Sequence, residues 1–258
     1  MLKFQKMAGH SKWANIKHRK AAQDKKRAKV WTRIIKEITM AARDNGPDLD
    51  SNPALRLAVL NGKGANLAKD TIDRAIKKGS GAEAVNLQRH TYEGYGPHGI
   101  AIFLDTTTEN INRTVANIRS IFSKNNGSLG TNGSLSFIFD TKGVFEISNE
   151  TIQEIDAEEL ELELIEGGAQ EVEKEEEYIS IYTSFEDFGT MQSKLGELGI
   201  EATSTEIQQI PKTTTTLSID QAMDVLKIVD KFEEDDDIQA VYHNMQLTDE
   251  LIAKLETE

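Results

Sequence analysis

The chain has 258 residues, no cysteine, 38% hydrophobic and 28% charged residues, and a formal net charge of −13 at pH 7. Without cysteine it can form no disulfide, no thiolate zinc site and no thiol nucleophile, which suits a reducing cytoplasm. No run approaches the roughly 18 apolar residues of a membrane span, and the length, at about 150 residues per domain, predicts two or three domains.

The six residues before Met7 are too short for a signal or transit peptide and read as a tail. Charge is divided unevenly: residues 1–80 carry +12 and residues 81–258 carry −25. Such polarity is expected when one end of a chain meets a polyanion that the other end repels. Between Lys17 and Lys29 there are seven Lys or Arg against one acid, Asp24, with alanine as the sole apolar residue type. This stretch cannot bury a face of its own. From Val30 the pattern changes, because Val30, Ile34, Ile38 and Ala41, with Trp31 and Ile35 beside them, recur at helical spacing. A basic arm thus runs into a docking helix, expected over Lys12–Arg43 and stopped at Asn45-Gly46-Pro47.

Asn52-Pro53 reads as an N-cap with proline at the first helical position, opening a helix to Gly62-Lys63-Gly64. Asn66 is expected to cap a third helix with Ile72, Ala75 and Ile76 inside and Lys77-Lys78 on the negative end of its dipole. After Gly81 short strands appear: His90–Tyr95 and Ile100–Asp105 as a hairpin, then a helix capped by Asn110. Leu135–Phe139 and Val144–Ile147 read as a second hairpin about Asp140–Gly143. Asp156 with Glu159 opens a helix to Ile165, Val172 and Tyr178–Thr183 are strands, and Ser184 with Asp187 starts a helix to Leu198. Ala202–Ile210 is a strand, Ser218 with Gln221 caps a helix, Ile238–His243 is the last strand and Leu247–Leu255 a final helix. Two α+β units therefore follow the helical region.

Catalytic and metal signatures do not assemble. Gly94–Gly99 spells GxGxxG, but strand continues on both sides and Pro97 lacks an N–H, so a hairpin is expected rather than a dinucleotide site. The five histidines include no i,i+4 pair, no GxSxG elbow occurs, and no acid, base and nucleophile spacing marks a hydrolase. The acidic runs Glu233–Asp237 and Glu171–Glu177 read as solvated loops. No enzyme, cofactor, metal or small-molecule substrate is expected. The basic arm is the exception, since like charges at that density repel unless a polyanion neutralises them. Lys12, Lys17, Arg19, Lys20, Lys25, Lys26, Arg27 and Lys29 are the candidate phosphate contacts, with Arg33, Lys77 and Lys78 outside them and His18 among them. Trp13 can stack on a base or anchor the bundle.

Met7–Lys20 (MAGHSKWANIKHRK) resembles the opening of the YebC/PmpR family, which includes a mitochondrial translational activator of cytochrome oxidase. Further likeness lies at Ser51–Arg56 (SNPALR), Lys69–Gly79 (KDTIDRAIKKG), Tyr92–Pro97 (YEGYGP), Asn112–Thr114 (NRT) and Gly127–Phe137 (GSLGTNGSLSF). Ala28 stands where the family usually has glycine, favouring continuous helix. The resemblance implies a multidomain α and α+β protein: a helical domain, 1–80, and two small ferredoxin-like α+β domains around a crevice. In that division 81–132 with 207–258 form the second domain, and 133–206 a third inserted within it. It implies a cytoplasmic, non-enzymatic regulator that binds duplex DNA in transcription. The alternative is a translation factor that contacts ribosomal RNA on the ribosome and relieves stalling, for example at proline-rich stretches. No membrane partner is expected.

Overall fold

The structure is a computed structural model and describes residues 23–81, 86–153, 155–175 and 177–257. Packing separates residues 140–210 from the rest of the described chain.

In the larger unit, helix α1 (Gln23–Asn45) ends where expected, at Gly46 with φ +86°; its expected beginning at Lys12 lies outside the described residues. Its inner stripe is Ile34, Ile38 and Ala42, whereas Val30 is 37% exposed, so burial begins one turn later than the apolar pattern suggests. Helix α2 (Pro53–Gly64) starts at Asn52, whose Oδ1 accepts from the Leu55 amide at 3.0 Å. The same fully buried side chain donates to the Ala41 and Gly46 carbonyls at 2.8 and 2.7 Å, tying the end of α1 to the start of α2. Helix α3 (Lys69–Ser80) is preceded by Ala68, not Asn66. Asn66 instead takes φ +56° and closes α2, its N–H on Lys63 O and that of Leu67 on Gly62 O. That is the left-handed C-terminal cap, a use of asparagine that competes with N-capping. Leu55, Val59, Leu67, Ile72 and Ala75 complete the bundle core.

Strands β1 (Gln88–Tyr95) and β2 (Ala101–Thr108) pair antiparallel from Gln88↔Thr108 to Tyr95↔Ala101. Gly96 N donates to Ile100 O at 2.8 Å across the intervening turn. GxGxxG here is a hairpin, as the flanking strands require. With β3 (Ser128–Leu129) and β8 (Ile238–His243) they form a sheet in the order β3-β1-β2-β8. Helices α4 (Ile111–Lys124), α8 (Ile219–Glu234) and α9 (Asp249–Thr257) bring side chains to one face; there Phe122 meets Phe232 edge-on at 4.8 Å, and Ser218 with Gln221 forms a complete capping box. Leu135, Phe139 and Tyr242 pack on Ala101 in a second cluster.

The second expected hairpin does not form. β4 runs unbroken over Phe139–Ser148, with Lys142 and Gly143 inside the ladder opposite Ser184 and Thr183. Residues 134–138 coil as successive turns, Phe139 N reaching Leu135 O. The cause is Glu93, only 6% exposed, whose carboxylate accepts from Gly133 N at 2.7 Å and Leu135 N at 2.6 Å. Amides committed to a carboxylate cannot enter a ladder.

In the smaller unit β5 (Ala169–Lys174), β6 (Tyr178–Ser184), β4 and β7 (Ser204–Pro211) order as β5-β6-β4-β7. After a single turn α5 (Asn149–Ile152) come α6 (Ala157–Glu166) and α7 (Phe188–Glu197). Their Leu160, Leu164, Met191 and Leu195 pack with Phe145, Ile147, Ile179 and Ile181. Registers Glu146↔Ser180 and Glu173↔Ser180 align three polar residues on the opposite face. Glu173 is buried and accepts from Tyr182 Oη at 2.9 Å, so the run from Glu171 is in part sheet, not a solvated loop. Burial, with help from Glu206, pushes the Glu146 carboxyl up to about 7. The whole is a multidomain α and α+β protein: a helical bundle and two four-stranded sheets, each packed with helices.

Candidate nucleic-acid interface

α1 is set by its contact with α3. Gly79 lies so close to α1 that a Cβ there would collide with the Thr39 carbonyl, and Trp31 Nε1 donates to Ala65 O at 2.9 Å. With Ile34 and Ile38 turned inward, Lys29, Arg33 and Lys36, at i, i+4 and i+7, share an outer face.

Much of that face is engaged with the chain itself. Lys36 Nζ donates to Asp236 O at 2.6 Å and Thr107 O at 3.0 Å and stands 3.7 Å from Asp237 Oδ1. Arg33 Nε lies 3.5 Å from Glu37 Oε1. Asp105, its carboxyl raised by burial, is pulled back by Arg89 and Arg33. Arg43 donates to the Leu87 carbonyl. Lys29 Nζ is buried with no hydrogen-bond partner among the described residues. Burial pushes its ammonium pKa below the usual value, against the opposing pull of Asp236, Glu233, Asp235 and Glu234.

Asp237 is the hub on the other side. Its Oδ2 accepts from Arg113 at 2.8 Å, Thr114 Oγ1 at 2.8 Å and Thr108 Oγ1 at 3.1 Å. Burial pushes its carboxyl up, but these donors and Lys36 outweigh it and leave the pKa below the aspartate value. The acidic run is therefore not uniformly solvated, since Asp237 is 7% exposed. Bonds to both hydroxyls and a guanidinium offset the cost of burying it.

Of the residues expected to contact nucleic acid, Lys12, Trp13, Lys17, His18, Arg19 and Lys20 lie outside the described residues. Lys25, Lys26 and Arg27 fall in the first two turns of α1. Arg33 and Lys29 are partly buried, while Lys77 and Lys78 are exposed at the end of α3. Sequence reasoning did not single out Lys36, Arg113 or Asp237; the heptad step from Lys29 to Lys36 was the available signal. Among the described residues no cluster of three or more metal-ligating side chains occurs, and no helix is long and apolar enough to cross a membrane.

This architecture is that of a multidomain α and α+β protein with a cationic helical bundle and acidic α+β units, and comparison with known proteins gives it a family. The model of the TACO1/YebC N-terminal domain matches residues 11–82, and that of the TACO1/YebC second and third domain matches residues 87–245. The chain belongs to the TACO1/YebC family. It is 49% identical over 241 residues to a protein of Amoebophilus asiaticus, covering 93% of this chain and 98% of the relative. A relative from Idiomarina loihiensis is 46% identical over 252 residues, covering 97% and 100%. Both bear the name "probable transcriptional regulatory protein". A conserved hypothetical protein of Aquifex aeolicus has the same fold, with TM-score 0.80 and 37% identity, over 92% of this chain and 97% of that one.

Proposed function

We propose that the protein is a non-enzymatic regulator of gene expression that binds nucleic acid, duplex DNA first, through its N-terminal basic arm. The observation that carries this reading is the charge division, +12 over residues 1–80 against −25 over the remainder. The regulatory names of the relatives support it. Lys12, Lys17, Arg19, Lys20, Lys25, Lys26 and Arg27 neutralise phosphates, and Lys77 and Lys78, exposed on α3, add outer contacts. Contacts of this kind position a duplex without reading its bases, so specificity comes from shape or from a partner.

The test is fluorescence anisotropy of a labelled DNA duplex and a labelled RNA hairpin against the full chain, over about 50–200 mM salt. Neutralising Lys25, Lys26 and Arg27 to glutamine should flatten the log–log salt dependence by roughly 2 to 3. An unchanged slope refutes the arm as the contact. Retention of the hairpin with no affinity for duplex would move the target to folded RNA and the role to the ribosome.

A further inference from the structure

The acidic run that ends α8 lies against the basic face of α1, and its form is fixed in advance. Asp235 Oδ1 accepts from the Asp237 amide at 2.9 Å, Asn117 Nδ2 donates to Asp235 Oδ2 at 3.4 Å, and Asp237 is held by Arg113, Thr108 and Thr114. Opposite stand two cations of different standing. Lys36 spends its ammonium on two backbone carbonyls and the Asp237 carboxylate. Lys29, two turns earlier, has its Nζ buried without a hydrogen bond among the described residues, facing four carboxylates through space. A buried ammonium so placed keeps the cost of lost hydration and gains only the field of the run. It would do better with a phosphate oxygen in direct contact.

We propose that Glu233–Asp236 is an internal counter-anion that holds the Lys29 turn of α1 against the end of α8 and is displaced when a nucleic-acid phosphate takes that turn. Lys36 is the anchor that stays; Lys29 is the contact that exchanges. The run thus sets a threshold that weakly held polyanions do not pass. The inference rests on the nucleic-acid reading of the arm and adds a competitor within the same chain.

The experiment uses the full chain with Glu233→Gln, Glu234→Gln, Asp235→Asn and Asp236→Asn together. Asp237 is left intact, and asparagine at 235 keeps the acceptor for its amide. A control carries Glu158→Gln, Glu159→Gln, Glu197→Gln and Glu201→Gln, which removes the same charge from exposed positions. Two readouts are taken. Acetylation of Lys29 in the protein alone, measured by mass spectrometry against exposed Lys77, should rise in the run variant and not in the control. Affinity for a DNA duplex and an RNA hairpin should tighten roughly three- to tenfold beyond the control's gain. Lys29 reactivity equal in wild type and run variant, or an affinity gain no larger than the control's, overturns the proposal. If no protein binds either probe while Lys29 still becomes reactive, the nucleic-acid reading has failed and the competition falls with it. The rise in reactivity then reports only that the field of the run acts on Lys29.

Discussion

Removing the Asp237 carboxylate is the sharpest perturbation the fold offers, because one oxygen serves Arg113, Thr108 and Thr114 while the other faces Lys36. An ionised carboxylate only accepts, so the hydroxyl protons point toward it. Thr108 and Thr114 share two protons among three close oxygen contacts, their mutual distance being 2.8 Å. In Asp237→Ala those hydroxyls have fallbacks: Thr114 lies 3.0 Å from Asn110 O, and Thr108 can turn to Thr114. The Arg113 side chain, 55% exposed, rehydrates, and Lys36 keeps its two carbonyls. The cost should therefore be about 2–3 kcal/mol, below the roughly 3–5 kcal/mol of breaking a fully buried pair. Asp237→Asn, which keeps the shape and one acceptor, should cost about 1 kcal/mol. Urea unfolding followed by circular dichroism measures the total. Hydrogen exchange at the Thr107 amide, bonded to Asp237 O at 2.8 Å, localises it. Because the folded pKa is depressed, this stabilisation is present above the ordinary aspartate value of 3.8 and is lost as pH falls through the folded value. A change below about 0.5 kcal/mol in the alanine variant, typical of plain surface sites, would refute the account of Asp237 as the hub.

Three further outcomes are expected. Gly79→Ala should destabilise the bundle by about 1–3 kcal/mol, as α3 is forced off the Thr39 carbonyl; the thermal melt of the helical signal checks it. Glu93→Gln should cost about 1–3 kcal/mol, because an amide presents one acceptor where Gly133 and Leu135 need two; exchange at those two amides should accelerate. Glu146 has a folded pKa near 7 against 4.5 in the open chain, so its contribution to stability declines as pH rises from 4.5 through 7. Glu146→Gln should abolish that decline, worth at most about 3 kcal/mol, and raise the melting temperature at pH 8 relative to the parent.

Element existence was legible wherever local chemistry decided it. Asn52-Pro53, Asn110, Asp156 and Ser218 with Gln221 all cap the helices they announce, since a side chain that meets an amide two or three residues on needs nothing distant. The misreadings share the opposite cause. Asn66 suits either end of a helix, and the left-handed turn after Gly62 won. Leu135–Phe139 has the apolar content of a strand, but a carboxylate some forty residues away took its amides. Val30 continues the stripe of α1 yet is 37% exposed, while Trp31 beside it turns into the bundle and donates to Ala65 O. The acids at 233–237 read as solvated because sequence cannot show that Thr108 and Thr114, ordinary strand and helix residues, supply hydroxyls to Asp237. The candidate site was legible as charge and opaque as geometry: seven cations announce a polyanion surface, while Lys36 is distinguished from its neighbours by the carbonyls it finds.

The chain leaves the larger unit after Phe139 and returns at Pro211, and at the crossing Lys212 N donates to Ile138 O at 2.8 Å. Exit and return are thus already joined by a hydrogen bond on the larger unit's side. In polymer terms residues 140–210 are a side branch whose two ends coincide. Exchanging that branch for a few flexible residues changes loop-closure entropy by only about 2–3 kcal/mol. The rest of the molecule can therefore lose, gain or exchange the branch without redrawing its own wiring.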